Sequence, residues 1–120
     1  MIAVLFEVWT KPELHSEYLA RAASLRAELA TVPGFISVER FESLSEPGKI
    51  LSLSFFTDEA AVTDWRQRSA HRAAQSAGRG TAEAPAIFED YRLRVAEVRR
   101  DYGLRDRDQA PEDSRARHGG

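Results

Sequence analysis

The chain contains no cysteine among its 120 residues. It therefore offers no disulfide, no thiolate nucleophile and no cysteine-ligated metal or iron–sulfur centre. Histidine is scarce as well, because only His15, His71 and His118 are present and they are widely scattered. No two-histidine or histidine–carboxylate metal site can be assembled from such spacing, so no metal site is expected.

Long apolar runs and an excess of basic charge are also missing. No apolar stretch approaches the roughly 20 residues needed to cross a bilayer. The opening MIAVLFEVW is short, contains Glu7 and has no basic residues before it, so it is not expected to be a signal peptide. The net charge of −2 disfavours phosphate binding. We therefore expect a cytoplasmic protein with neither a membrane nor a nucleic-acid partner.

The familiar local signatures of catalysis are absent. The sequence has no GxSxG nucleophile elbow, no HExxH zinc motif, no P-loop and no glycine-rich dinucleotide motif. What remains is ordinary for a globular protein, with 42% hydrophobic and 30% charged residues. A chain of this length predicts a single domain.

The hydrophobic pattern predicts the element order βαββαβ. Segments rich in β-branched and aromatic residues predict strands, and two stretches with helical spacing predict helices, the second capped by Thr57 or Asp58. Right-handed crossovers fold this order into a ferredoxin-like α+β domain with a four-stranded antiparallel sheet and both helices on one face. The predicted strands are 2–9, 35–41, 49–56 and 87–98, the helices are 12–32 and 58–77, the domain is 1–103, and 104–120 is a disordered, charged tail.

Both faces of this sheet are predicted to carry apolar residues. In the third strand, Leu51, Leu53 and Phe55 alternate with Ile50, Ser52, Ser54 and Phe56. Two helices cover one face, and exposing the other costs about 25 cal/mol per Å² of apolar surface. A second copy of the sheet is the simplest cover, so we predict an isologous homodimer.

Glu7 is predicted to lie on the dimer side of the first strand. It alternates with Phe6, which is expected to face the helices. Arg92 or Arg94 of the last strand is expected to pair with Glu7, and Tyr91 is expected to face the helices with Leu93.

Four segments in order give the sequence a family resemblance. They are PGFISVERFESL, GKILSLSFFTDEAAVTDW, AHRAAQ and FEDYRLRV. Together they resemble the antibiotic-biosynthesis-monooxygenase (ABM) domain of the dimeric α+β barrel superfamily, over about residues 1–103. The resemblance implies a homodimer whose sheets pack face to face, with a pocket between sheet and helices in each subunit.

The resemblance implies two candidate activities. Some ABM proteins oxygenate quinols and anthrones without metal or flavin, and others bind and degrade haem. Haem-degrading members have an asparagine in the first strand, a tryptophan early in the second helix and an axial histidine about ten residues later. Here those places fall on or next to Phe6, on Trp65 and on Gln75. Because glutamine is a feeble iron ligand, a cofactor-independent oxygenase acting on an aromatic or quinol-like substrate is favoured.

The oxygenase interpretation assigns roles to six residues. His71 replaces a tyrosine of quinone-forming relatives and can exchange a proton near neutral pH. Trp65 would form the wall of a flat slot, and Arg72, on nearly the same helical face, would hold a developing oxyanion. The other expected substrate contacts are Phe6, Gln75 and Tyr91.

Each of these residues also has a structural explanation. Trp65 can be a core anchor, His71 an exposed helix residue, and Arg72 a surface residue whose stem covers the apolar stripe. His15, near the start of the first helix, is expected at the surface. The corresponding alternative function is a dimeric module that binds a small hydrophobic ligand without catalysis.

Overall fold

The computed structural model describes residues 1–78 and 88–113, without the side chains of residues 69–78 and 88. The predicted order βαββαβ is confirmed. The elements are β1 (Ile2–Thr10), α1 (His15–Leu29), β2 (Phe35–Glu42), β3 (Lys49–Phe56), α2 (Glu59–Gly78) and β4 (Phe88–Glu97).

The first helix is shorter at both ends than the sequence predicts. Its expected first turn, Pro12–Leu14, is a separate 3-10 turn. At the other end, Ala30 donates its amide to the carbonyl of Arg26, whereas Thr31 bonds to Glu28 and so tightens the chain into a turn. A 3-10 turn that begins at Pro12 precedes the helix, and a tight turn at Thr31 follows it. The hydrophobic pattern continues through both turns and is therefore longer than the helix.

The four strands form one antiparallel sheet in the order β2-β3-β1-β4. Consecutive hairpin strands β2 and β3 are adjacent, and each helix connects strands that are not neighbours. At the centre, Val8 of β1 pairs with Ile50 on one side and Tyr91 on the other. This is the predicted ferredoxin-like α+β topology.

Two apolar clusters hold the helices against one face of the sheet. The first lies where α1 ends and α2 begins, and Trp65 packs against it together with Val4. The second lies at the start of α1, where Tyr18 packs with Val8 and Ile50, and Phe6 packs against them. Both helices therefore cover the face of β1 that carries its even-numbered residues.

A glycine and an aspartate fix the start of α2. Gly34 has a φ of 90°, and its carbonyl accepts the amide of Thr57 at 2.8 Å. A Cβ at this glycine would lie 2.6 Å from the Thr57 hydroxyl oxygen. The Asp58 carboxylate accepts the amide of Ala61 at 3.0 Å, so Asp58, one of the two predicted caps, is the N-cap.

The other face of the sheet is called the open face, because no element of the described chain packs over it as a helix layer. Its apolar side chains are partly or fully exposed; they are Leu5, Phe41, Leu51, Leu53 and Phe55.

Glu7 lies on the open face with two cations. Its carboxylate is 3.0 Å from Arg94 Nη1 and 3.3 Å from Lys49 Nζ. The predicted pairing of Glu7 with an arginine of the last strand is confirmed, with Arg94 as the partner. Hydrogen bonds from Arg94 and then Lys49 lower the pKa of Glu7.

The described chain continues past β4 in a segment rich in turns. The amide of Asp101 donates to Gln109 Oε1 at 2.8 Å, and the amide of Gly103 donates to the carbonyl of Asp106 at 2.7 Å. The expected domain boundary at residue 103 and the expected disordered tail stay predictions. Within residues 1–78 and 88–113, no helix is long and apolar enough to span a membrane.

Candidate functional site

The helix-facing side of β4 carries an exposed apolar strip. Tyr91, Leu93 and Val95 pair with Val8, Phe6 and Val4 of β1 and so face the same way as these residues. They nevertheless remain 61%, 52% and 47% exposed. We call Tyr91, Leu93 and Val95 the β4 strip. It gives the helix-facing side an apolar surface that stays partly exposed.

Phe6 joins the β4 strip to the packed core. Its ring centroid lies 5.7 Å from that of Tyr91, with the two planes inclined by 44°. On its other side, Phe6 packs against the cluster of Val8, Tyr18 and Ile50. The predicted orientation of Tyr91 toward the helices is confirmed, and its ring forms a tilted aromatic pair with Phe6.

Trp65 lies on α2 and is half-buried against the first core cluster. Its role as a core anchor is therefore evident. Phe6 and Val4 are two residues apart on the same strand face, so the clusters that they join lie roughly 7 Å apart along β1. Trp65 thus packs against the first cluster and Phe6 against the second, on the same face of the sheet.

Two serines lie on this face of the sheet. The helix-facing residues of β3 are Ile50, Ser52, Ser54 and Phe56, and the two outer ones are each 1% exposed. Ser52 pairs with Phe6 and Ser54 pairs with Val4. Ser52 therefore lies beside Phe6, and Ser54 lies beside Val4, which packs against the same core cluster as Trp65. The alternation of Ser52 and Ser54 with apolar residues is visible in the sequence, but their pairing with Phe6 and Val4 is not.

Three of the predicted site residues lie outside the described side chains. His71, Arg72 and Gln75 belong to α2 between Glu59 and Gly78. Their predicted roles stay predictions: proton exchange for His71, hydrogen-bond donation to an oxyanion for Arg72 and substrate contact for Gln75. Of the six predicted residues, Phe6 and Tyr91 contact each other. Trp65 packs against a separate core cluster, which includes contacts to Val4 on the same strand as Phe6.

A polar cleft of about 540 Å³ lies at the end of β1. Thr10 Oγ1 is 3.1 Å from His15 Nδ1, and His15 Nε2 is 3.4 Å from Glu42 Oε1. The His15 side chain is 31% exposed, so His15 lies at the surface as expected, within this cleft. The three side chains link the ends of β1 and β2 to the start of α1, which local sequence does not reveal. Phe6, Trp65 and Tyr91 do not line this cleft.

Metal and haem ligands are lacking in the part of the chain that the structure describes. No group of three histidine, aspartate or glutamate side chains there can hold a metal ion. At the first-strand position associated with haem, Phe6 supplies only an apolar ring. Around the β4 strip, Phe6 and Trp65, the described side chains include no histidine, and those of His71 and Gln75 lie outside the described part of the chain.

Comparison with known proteins finds a matching family description, one relative of similar length and one that is more than twice as long as the matched region. The family description "Antibiotic biosynthesis monooxygenase" matches residues 1–77. The jasmonate monooxygenase ABM of Pyricularia oryzae is 47% identical over 98 residues, which are 82% of this chain and 43% of that protein. The chain therefore spans less than half of that relative. The uncharacterised YqjZ of Bacillus subtilis is 31% identical over 98 residues, covering 82% of this chain and 79% of YqjZ.

Solved structures share the fold at low sequence identity. The haem degrader MhuD of Mycobacterium tuberculosis, with two haems in its active site, has a TM-score of 0.65 and 17% identity, covering 86% of this chain and all of that one. SnoaB, a cofactor-independent oxygenase from Streptomyces nogalater, has a TM-score of 0.65 and 14% identity over 83% of this chain and 94% of that chain. The fold thus hosts both chemistries. From the family match and the identity to YqjZ, the chain belongs to the antibiotic biosynthesis monooxygenase family.

Proposed function

We propose that the protein is a cofactor-independent monooxygenase that acts on a small apolar substrate, aromatic or quinol-like, between the sheet and α2. The observation that supports this most is the β4 strip. Its three apolar side chains are about half exposed beside Phe6 in a chain of the ABM family. A group of exposed apolar side chains is typical of a surface that binds another molecule.

The reaction proposed for an anthrone-like substrate balances without a cofactor. A base removes a proton from the activated CH₂ group, the carbanion adds to dioxygen, and the resulting peroxide loses water. The net change is CH₂ plus O₂ to C=O plus H₂O, with all electrons supplied by the substrate. His71 is the proposed base, and Arg72 the proposed donor to the oxyanion. Trp65, Phe6, Gln75 and Tyr91 are proposed to hold the substrate.

The jasmonate relative suggests a second substrate class for the test. That protein acts on jasmonate by name, and this chain is 47% identical to part of it. Hydroxylation of an unactivated C–H carbon of jasmonate would put one oxygen atom into the product and would need two electrons and two protons from a reductant to convert the other into water. Oxygen uptake with jasmonate is therefore measured with and without a reduced nicotinamide.

The experiment is oxygen uptake with anthrone by the purified, chelator-treated protein. We expect uptake matched by anthraquinone formation, lowered about 100-fold or more in His71→Ala because a general base is lost. His15→Ala is the matched control, since His15 lies in the polar cleft instead. Binding of anthrone without oxygen uptake would instead support a non-catalytic ligand-binding module. A Soret shift with haemin followed by loss of absorbance with reductant would support haem degradation.

We also propose that the protein is a homodimer formed through the open face. Leu51, Leu53 and Phe55 give this face its apolar area, and only part of each is covered within one chain. The face is crossed by antiparallel strands and is thus suited to two-fold pairing with itself. Four charges on this side are already paired within one chain, because Glu7 contacts Arg94 and Lys49, and Lys49 also lies 3.8 Å from Glu46.

A further inference from the structure

One row of paired residues on the helix-facing side of the sheet changes from polar to apolar. Arg40 of β2 pairs with Ser52 of β3, and Ser52 pairs with Phe6 of β1. Phe6 in turn pairs with Leu93 of β4. Because neighbouring strands lie roughly 4.8 Å apart, the row is roughly 14 Å long. It has a cationic, hydroxyl-bearing end and an apolar end.

Arg40 has unused hydrogen-bonding capacity at the polar end. Its Nε is buried and has no hydrogen-bond partner. Within the described residues, its guanidinium also enters no ion pair. The neighbouring carboxylate on this face of β2 belongs to Glu42, which lies against His15 instead. A buried donor on a charged group is costly to leave unpaired, so the position favours an incoming acceptor.

The serines of β3 extend this donor surface toward the centre of the sheet. Neither the Ser52 nor the Ser54 hydroxyl makes a hydrogen bond to the rest of the described chain. Both serines occupy positions of the central strand where Ile50 and Phe56, at the two ends, are almost completely buried. Hydroxyl groups in such a floor contribute little apolar packing and can instead donate to a ligand oxygen.

We infer that the substrate is an amphipathic monocarboxylic acid whose carboxylate binds Arg40 and Ser52 while its apolar body lies over Phe6 and the β4 strip. A guanidinium binds a carboxylate through charge-assisted hydrogen bonds, and the unpaired Arg40 offers one positive charge for one negative charge. This inference rests on the proposed function, because it takes the apolar end of the row to be the substrate site.

The test compares each acid with its own methyl ester, which removes the charge and keeps the apolar body. The probes are jasmonic acid with methyl jasmonate, and naphthoic acid with methyl naphthoate, titrated calorimetrically into the full chain. For at least one pair we expect the acid to bind about 10- to 100-fold more tightly than the ester, the range of a charged hydrogen bond. Arg40→Gln removes this preference, because the affinity for the acid falls to about that for the ester.

Two further variants separate recognition from folding. Arg21→Gln is the matched control, because Arg21 is exposed on α1 and pairs with Glu17; it keeps the preference for the acid. Ser52→Ala, a smaller change, weakens acid binding severalfold and spares the ester. Equal binding of acid and ester in both pairs, or an unchanged preference in Arg40→Gln, would overturn the inference. Anthrone-dependent oxygen uptake is scored separately, so the proposed function can stand when the acid preference fails.

Discussion

Glu7 shows how a single residue links the sheet to its surroundings. Arg94 and Lys49 hold its carboxylate and lower its pKa in the folded protein. A lowered folded-state pKa stabilises the fold above the pKa of the unfolded chain, and this contribution is lost as the pH falls through the folded-state pKa. The ion cluster therefore makes the protein less stable in acid.

Glu7→Gln tests this linkage. At neutral pH the variant is expected to have a lower free energy of unfolding than the wild type, and the difference should shrink as the pH is lowered toward about 3. Urea denaturation across this pH range measures it. Glu13→Gln, an exposed glutamate in the turn before α1, is the control and should show no such trend. A Glu7→Gln difference that is constant with pH would contradict the role of the ion cluster.

Gly34 provides a second test at the residue scale. Alanine there must adopt a φ of 90°, and its Cβ would lie 2.9 Å from the Cβ of Ala61. Gly48 has a similar φ of 84° but open space around it. Backbone strain costs about 1–3 kcal/mol at either site. Because of crowding, Gly34→Ala should lower the free energy of unfolding by about 1–3 kcal/mol more than Gly48→Ala. Urea denaturation of both variants measures this difference. Equal losses in the two variants would contradict the close packing of α2 on this turn.

The face on which a strand residue lies could be predicted from the sequence. Contacts between residues of separate segments could not. Glu7 and Tyr91 could be assigned a face because side chains alternate along a strand. The contacts of His15 could not be predicted, since its partners Thr10 and Glu42 come from two different strands. The role proposed for Arg40 could not be predicted either, because its pairing with Ser52 depends on the register of β2 against β3.

At the scale of elements, strands were more predictable than helix ends. β3 has the predicted bounds because apolar residues stop sharply at Gly48 and at Thr57. The ends of α1 were misjudged because apolar residues continue into the flanking turns, where they still pack: Leu14 and Val32 are both associated with the core clusters. Buried apolar residues therefore continue past the last helical hydrogen bonds at both ends of α1.

The open face makes a prediction about the whole sheet as an element. Leu53 lies at its middle, paired with Leu5 and Glu39, so an aspartate there finds no cation directly opposite. We expect Leu53→Asp to weaken the homodimer by more than about 100-fold, since an unpaired charge in an interface costs about 3–5 kcal/mol. Analytical ultracentrifugation measures the dissociation constant.

Leu44→Asp is the matched control for the dimer. Leu44 is fully exposed in the turn between β2 and β3, so its replacement should leave the dimer unchanged. If the wild type sediments as a monomer, or if both aspartate variants behave like the wild type, the open face is not the dimer interface.

At the scale of the molecule, one sheet is proposed to serve two purposes. Its open face would join two copies, and its helix-facing side combines two packed clusters with the exposed β4 strip. The order of elements sufficed to predict the fold, because few topologies satisfy right-handed crossovers. The substrate could not be predicted in the same way, because family members share the fold while different side chains line it.

The most direct test of the proposed function is the stoichiometry of oxygen uptake by wild-type protein freed of metal, flavin and haem. With anthrone as substrate, the account predicts one dioxygen consumed for each anthraquinone formed. Leu93→Glu, which places a carboxylate in the middle of the β4 strip, should abolish turnover while the protein stays folded. Oxygen uptake that requires added haem and reductant, or that proceeds undiminished in Leu93→Glu, would contradict a cofactor-independent site on this face of the sheet.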